Sequence, residues 1–326
     1  MKKLQLCILG SLFAASLQAQ STDYTKGLSI WFDTPNNLDG RASWYSPATD
    51  KAWENNSLPI GNGSLGGNVM GSIAAERITL NEKTLWRGGP NTEKGAAYYW
   101  NVNKESAHLL PEIRQAFTDG NQKKELTCKN FNGLADYEPS RETPFRFGSF
   151  TTLGEAYIET GLSEIGMTDY KRILSLDSAM AIVSFRKDEV NYERKYFVSY
   201  PDSVMVLKFT ADRPGMQNLI FSYGSNPEAI GDIKTDGPNR LLYTGRLKNN
   251  QMKFALRIQA INKGGSLNTT DGKFIVRNAD EVIFLLTADT DYKLNFNPDF
   301  KDPKTYVGPD PDQTTLAMLD AAAAKN

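Results

Sequence analysis

The sequence predicts a mainly β chain, a large antiparallel β-sandwich, and three observations carry that expectation. From about residue 147 the apolar pattern repeats every second residue, turn signals recur at short intervals, and no helical period intervenes to make parallel crossovers.

The alternation is explicit in several runs. Phe254, Leu256 and Ile258 fall on one face, while Ala255, Arg257 and Gln259 fall on the other. Met205, Leu207 and Phe209 behave alike, as do Phe274 and Val276. Val282-Ile283-Phe284-Leu285-Leu286 is continuously apolar and reads as a strand buried on both faces. Tyr200-Pro201-Asp202, Arg213-Pro214-Gly215, Asp236-Gly237-Pro238, Gly264-Gly265 and Asp271-Gly272 supply the turns. About ten short strands at this spacing share one core.

Ahead of that region the texture differs. Lys2 and Lys3 precede an apolar run from Leu4 to Leu17, with Leu17-Gln18-Ala19 suited to cleavage before Gln20. Residues 1–19 therefore read as a signal peptide, since the run falls short of the ~20 apolar residues a spanning helix needs. Residues 20–57 are polar, with Trp31, Trp44 and Trp53 among turn residues, and a glycine-dense block follows from Leu58 to Pro90. Within 103–132, Leu109, Leu110, Ile113 and Phe117 recur at helical spacing, and Leu126 and Phe131 extend a weaker pattern. Two short inserted helices meeting at Asp119-Gly120 are expected.

The chain after residue 296 changes again. Asn297 to Pro311 carries four prolines and predicts an extended linker. Thr314 to Lys325 is alanine-rich and helix-forming, and uncapped at that length it would be marginal alone. Three regions result: a signal peptide over 1–19, a sandwich over 20–296, and a linker with the start of a helix over 297–326. The last reads as the entrance to a further domain.

Composition excludes several chemistries. Removing Lys2 and Lys3 with the leader moves the formal charge from −1 to −3, which opposes nucleic acid or an anionic membrane as partner. An exported product, periplasmic or secreted, follows. Cys128 would be the one cysteine left, so neither an internal disulfide nor a cysteine metal cluster is available. His108 is the only histidine and has no partner for a triad or a zinc site. No metal or cofactor is expected.

Gly61-Asn62-Gly63-Ser64-Leu65-Gly66 has the G-x-G-x-x-G spacing of a dinucleotide loop. Gly67 and Gly71 would break the helix that such a loop must open, so a tight turn entering a strand is the better account. Carboxylates are abundant, but spacing singles out no pair able to flank a glycosidic bond. Trp31, Trp44, Trp53, Trp86, Tyr98, Tyr99 and Trp100 crowd the first third, compatible with sugar stacking or with a β core.

Two long motifs then carry a resemblance. Leu58-Pro59-Ile60-Gly61-Asn62-Gly63-Ser64-Leu65-Gly66 and the run Glu76 to Pro90 (ERITLNEKTLWRGGP) are similar to the signature of glycoside hydrolase family 95. The similarity continues through Leu110-Pro111-Glu112-Ile113-Arg114, Leu174-Ser175-Leu176-Asp177, Ser199-Tyr200-Pro201-Asp202 and Asp271-Gly272. That family comprises inverting α-L-fucosidases, with some members acting on α-L-galactosides. The resemblance implies a super-sandwich of galactose-mutarotase-like type, leading through helices into an (α/α)6 catalytic barrel and a small β domain. It implies a fucosylated or L-galactosylated glycan as the parent's substrate. It places the general acid, the water-activating asparagines and their supporting aspartate in the barrel, so no catalytic residue is assigned to this chain. Ser64 stands where the family often has arginine, and Arg87 where serine or threonine is common. Chemistry nominates Asn62, Asn81, Glu82, Trp86 and Arg87 as polar or stacking groups on loops that reach a sugar pocket or a domain interface. A free-standing carbohydrate-binding module is the alternative reading.

Overall fold

The computed structural model describes residues 27–36, 51–88, 108, 110–120, 149–299, 302 and 304–325. The expected leader, Trp44, Tyr98, Tyr99, Trp100, Leu109, Leu126, Cys128 and Phe131 lie outside the described residues.

In chain order the early strands are β1 (Ser29–Phe32), β2 (Leu58–Gly61), β3 (Leu65–Val69), β4 (Ala75–Glu82) and β5 (Trp86–Arg87), with helix α1 (Lys51–Asn56) between the first two. Helix α2 (Leu110–Thr118) precedes β6 (Ser149–Phe150), β7 (Gly154–Glu159), β8 (Thr168–Ser175), β9 (Met180–Lys187) and β10 (Val190–Ser199). Then come β11 (Val204–Ala211), β12 (Gln217–Ser225), β13 (Ala229–Thr235), β14 (Arg240–Leu247) and β15 (Lys253–Lys263). The last elements are β16 (Ser266–Thr270), β17 (Lys273–Ala279), β18 (Glu281–Thr290) and helix α3 (Pro311–Ala323).

The strands form a nine-stranded sheet, ordered β1-β8-β9-β10-β11-β18-β15-β14-β13, and a seven-stranded sheet, ordered β16-β17-β12-β7-β4-β3-β2. A two-stranded ribbon, β5-β6, stands apart. Pairing is antiparallel throughout these ladders. The expected antiparallel sandwich is thus the observed fold.

The inward-facing alternate residues make the core. Phe209 and Phe284 come from one sheet, Phe221 and Phe274 from the other, and all are buried. Phe284 meets Phe221 at 4.8 Å and Phe274 at 6.0 Å, which joins the layers through aromatic contact. Such pairs add about 0.5–1.5 kcal/mol each beyond their buried area.

A polar bolt also crosses the interior. Glu76 on β4 is fully buried, and its Oε2 accepts from the Tyr196 hydroxyl of β10 at 2.9 Å. Its Oε1 accepts from the N–H groups of Gly71 and Arg77, at 2.8 and 3.1 Å. Arg194 on β10 stands 3.6 Å from Glu76 and donates to the Ser72 and Ile73 carbonyls at 2.6 and 3.0 Å. Burial pushes the Glu76 carboxyl up, and the Arg194 charge opposes part of that push. The tight 70–74 turn is thereby fixed to the opposite sheet. Gly71 sits at φ +78 with the Tyr170 hydroxyl bonded to its carbonyl, leaving no room for a side chain.

The C-terminal segment departs from expectation. The described residues 304–311 are tied to the sheet and are not a free extended spacer, because Tyr292 bridges Val307 and Asn295 Nδ2 donates to the Thr305 carbonyl. Helix α3 is capped, with Asp310 accepting from the Asp312 N–H and proline at the first position. It lies on the outer face of the nine-stranded sheet, where Leu319 and Ala322 pack on Val204 and Leu285. This explains the apolar run in β18: Val282, Phe284 and Leu286 face the core, while Leu285 faces α3. Arg257, on the outer face of β15, ion-pairs with both Asp236 and Asp312 and locks the helix start.

Two smaller differences concern the first half. Strand β1 and helix α1 lie in the segment expected to be turns. Helix α2 ends at Asp119-Gly120 as predicted, but Phe117 is exposed rather than packed. The partner helix expected beyond Gly120 falls outside the described residues.

Candidate functional site

The two motif-bearing loops meet at one end of the sandwich. The β2–β3 turn brings Asn62, the end of β4 brings Glu82, and β5 brings Trp86 and Arg87. The β10–β11 turn, Glu228 after β12, the turn after β14 and the end of β18 complete the surround.

Asn62 acts as the cap of its own hairpin. Its Oδ1 accepts from the N–H groups of Ser64 and Leu65, each at 2.9 Å. Its Nδ2 donates to the Ser199 carbonyl at 2.9 Å, tying the turn to β10. Gly63 follows at φ +88, a conformation that favours glycine, so the Gly-Asn-Gly spacing reflects turn geometry. The strand-entering turn predicted in place of a dinucleotide loop is what is observed.

Glu82 is nearly buried and closes the turn after β4. Its Oε2 accepts from the Thr84 N–H at 2.8 Å and from the Thr84 hydroxyl at 2.6 Å. That hydroxyl also contacts the Thr290 hydroxyl at 2.5 Å, joining the end of β4 to the end of β18 across the sandwich. Burial raises the Glu82 carboxyl above its usual range, Thr84 counteracts this in part, and the nearby Asp289 charge adds to it. Asp289 is itself raised, again chiefly by burial.

Trp86 is held while its ring stays available. The indole Nε1 donates to the Lys83 carbonyl at 2.8 Å, and the ring meets Phe150 edge-on at 5.8 Å. The two rings remain 44% and 43% exposed, so they form an open aromatic edge. The backbone beneath is pinned by Asn250, whose Nδ2 donates to the Trp86 and Gly88 carbonyls at 2.7 and 3.0 Å. Arg87 turns the other way along the strand and ion-pairs with Glu228, both largely shielded. Asn226 fixes Glu228 in place, its Oδ1 accepting from the Glu228 N–H at 2.9 Å.

Asn81 does not join this group in the same way. Successive side chains on a strand face opposite ways, so Asn81 shares the outer face of β4 with Arg77 and Thr79. There Arg77 meets Glu155 at 3.2 Å, and the Trp53 indole of α1 donates to Thr79 at 2.9 Å. The chemistry-based nominees thus divide among a capping amide, an anchored carboxylate, an exposed ring, a paired guanidinium and an amide on the outer sheet face.

Thr84 lies within the 76–90 motif but was not singled out, and Phe150, Glu228, Asn250 and Thr290 were missed by sequence reasoning. Only Asn250 had a usable signal, as part of the polar turn Lys248-Asn249-Asn250-Gln251. The arrangement can stack the apolar face of a pyranose or pack against protein at Trp86 and Phe150. Among the described residues no group of three or more His, Cys, Asp and Glu side chains could hold a metal ion. His108 is exposed.

The fold is a two-sheet antiparallel β-sandwich with its motif-bearing turns gathered at one end, and its class follows from comparison with known proteins. The family model described as "Glycosyl hydrolase family 65, N-terminal domain" matches residues 43–295, and the chain belongs to that family. "Probable alpha-fucosidase A" of Aspergillus niger (strain ATCC MYA-4892 / CBS 513.88 / FGSC A1513) is 30% identical over 326 residues, covering 96% of this chain and 37% of its own length. "Alpha-L-fucosidase 2" of Arabidopsis thaliana is 27% identical, covering 72% of this chain and 29% of its own. The chain therefore spans less than two fifths of the length of these curated relatives. A solved "Putative kojibiose phosphorylase from human microbiome" is similar at 12% identity with a TM-score of 0.35, covering 54% of this chain and 27% of that one.

Proposed function

We propose that this chain is the N-terminal sandwich domain of an exported, inverting α-L-fucosidase-type glycoside hydrolase, with the bond-breaking groups outside it. The observation that carries this is the similarity to a relative named as an alpha-fucosidase, which extends over 96% of this chain and only 37% of the relative. The motif similarity to glycoside hydrolase family 95 points the same way, as does the leader pattern before Gln20.

In the parent enzyme a carboxylic acid with a raised pKa protonates the glycosidic oxygen. A water on the opposite face of the sugar, activated by amide and carboxylate groups, attacks the anomeric carbon and inverts it. Among the described residues the buried carboxylates have other work: Glu76 holds the 70–74 turn, Glu82 caps the turn that carries Trp86, and Asp291 accepts from the Lys253 N–H. The loop end supplies rigidity and an aromatic edge, at the rim of the sugar pocket or against the catalytic domain.

A second reading, a free-standing module that binds fucosylated or L-galactosylated glycans, is favoured by one observation, the open Trp86–Phe150 edge. Glycan-array binding of the isolated chain separates the two. The domain reading expects no retained sugar at micromolar protein. Selective, Trp86-dependent capture of one glycan class would overturn it in favour of the module.

A further inference from the structure

At the end of the sandwich opposite the motif loops, a small pocket opens between the sheets. Tyr192 and Arg194 of β10 and Thr210 of β11 line it from one layer. Thr160, beyond β7, and Gln217 and Asn218 of β12 line it from the other.

Gln217 is only 4% exposed, and its Nε2 has no hydrogen-bond partner among the described residues. A buried amide donor left unsatisfied costs about 1–3 kcal/mol, so buried polar groups are nearly always matched by protein or by ordered water. The pocket has room for one water-sized molecule.

The chemistry of the lining narrows the occupant. The amide N–H donates, so the occupant must accept. The Arg194 guanidinium on the same wall disfavours a cation. Its charge is already met by Glu76 at 3.6 Å, and two of its five N–H groups donate to the Ser72 and Ile73 carbonyls, which weakens the attraction for an anion. A neutral acceptor that can also donate onward fits. Thr210 donates its own proton to the Glu193 carbonyl at 3.2 Å and keeps oxygen lone pairs to receive one from such a molecule.

We propose that this pocket is a site for a single bound water, which accepts from Gln217 Nε2 and bridges β12 to the paired strands β10 and β11. The site hydrates the outer end of the interior polar bolt. It is independent of the functional reading of the loop end.

The test is a crystal structure of the whole chain that shows ordered solvent, with a parallel bromide soak, for the wild type and for Gln217→Met. The wild type is expected to show one solvent peak within about 3 Å of Gln217 Nε2 and no anomalous signal from bromide there. In Gln217→Met the peak should be gone, the flexible apolar chain filling its place. An empty wild-type pocket, a Gln217 amide turned onto a protein acceptor, or a bromide peak would each overturn the proposal. The wild-type crystals alone decide it if the variant fails to fold.

Discussion

Glu76 and Arg194 face each other at 3.6 Å in the interior, one from each sheet, and both are almost wholly buried. Their contact organises the 70–74 turn, because Glu76 accepts from Gly71 while Arg194 donates to Ser72 and Ile73. Removing one partner leaves the other charged in a low-dielectric interior. Glu76→Ala should therefore cost about 3–5 kcal/mol in urea unfolding. A loss under about 1 kcal/mol would mean that water or a rearranged turn replaces the pair.

The raised Glu82 carboxyl has a defined pH signature. The folded state holds its proton more tightly than the unfolded chain does. Its contribution is thus most favourable below the unfolded value, about 4.3, and is lost as pH rises through the folded one. Glu82→Gln mimics the protonated form. Its stability relative to wild type should be greater at about pH 7.5 than at about pH 4. Equal differences at the two pH values would contradict the burial argument.

Asn250 is buried beneath the aromatic edge and satisfies the Trp86 and Gly88 carbonyls. Asn250→Ala should cost about 1–3 kcal/mol by stranding them. Trp86→Phe, at a half-exposed ring, should stay within about 0.5 kcal/mol. Thermal unfolding of both variants checks the order, and the reverse ranking would show that the ring, not the pinned backbone, supports the loop.

Helix α3 belongs mechanically to the sandwich. Leu319 is fully buried against Leu285 and Val204, so Leu319→Ala should cost about 2–5 kcal/mol. Deleting residues 309–326 should expose that outer apolar face and raise dye binding. A truncated chain as stable as wild type and without new dye binding would show that the helix docks without contributing.

The sandwich was legible because period-two alternation survives wherever one strand face is buried, as along Phe254 to Gln259. Strand β1 was not, since Ser29-Ile30-Trp31-Phe32 is too short to alternate visibly. The docking of α3 was hidden for a different reason. Its buried set is small, Thr315, Leu319 and Ala322 with Pro311, and its destination at Leu285 depends on tertiary contact. At the loop end the motif picked out residues on neighbouring turns, but not the direction in which each side chain faces. Asn81 and Glu82 cannot share a face on a strand, nor can Trp86 and Arg87. The Thr84–Thr290 contact joins residues 206 apart, which no local pattern reveals.

The proposed role, support of fucoside hydrolysis by groups outside this sandwich, has a direct test. Release of the phenol from an aryl α-L-fucoside by purified residues 20–326 is the most direct measurement. No release above the blank is predicted, with or without added divalent metal. Sustained turnover that survives repurification and is abolished by a substitution within this chain would contradict the account.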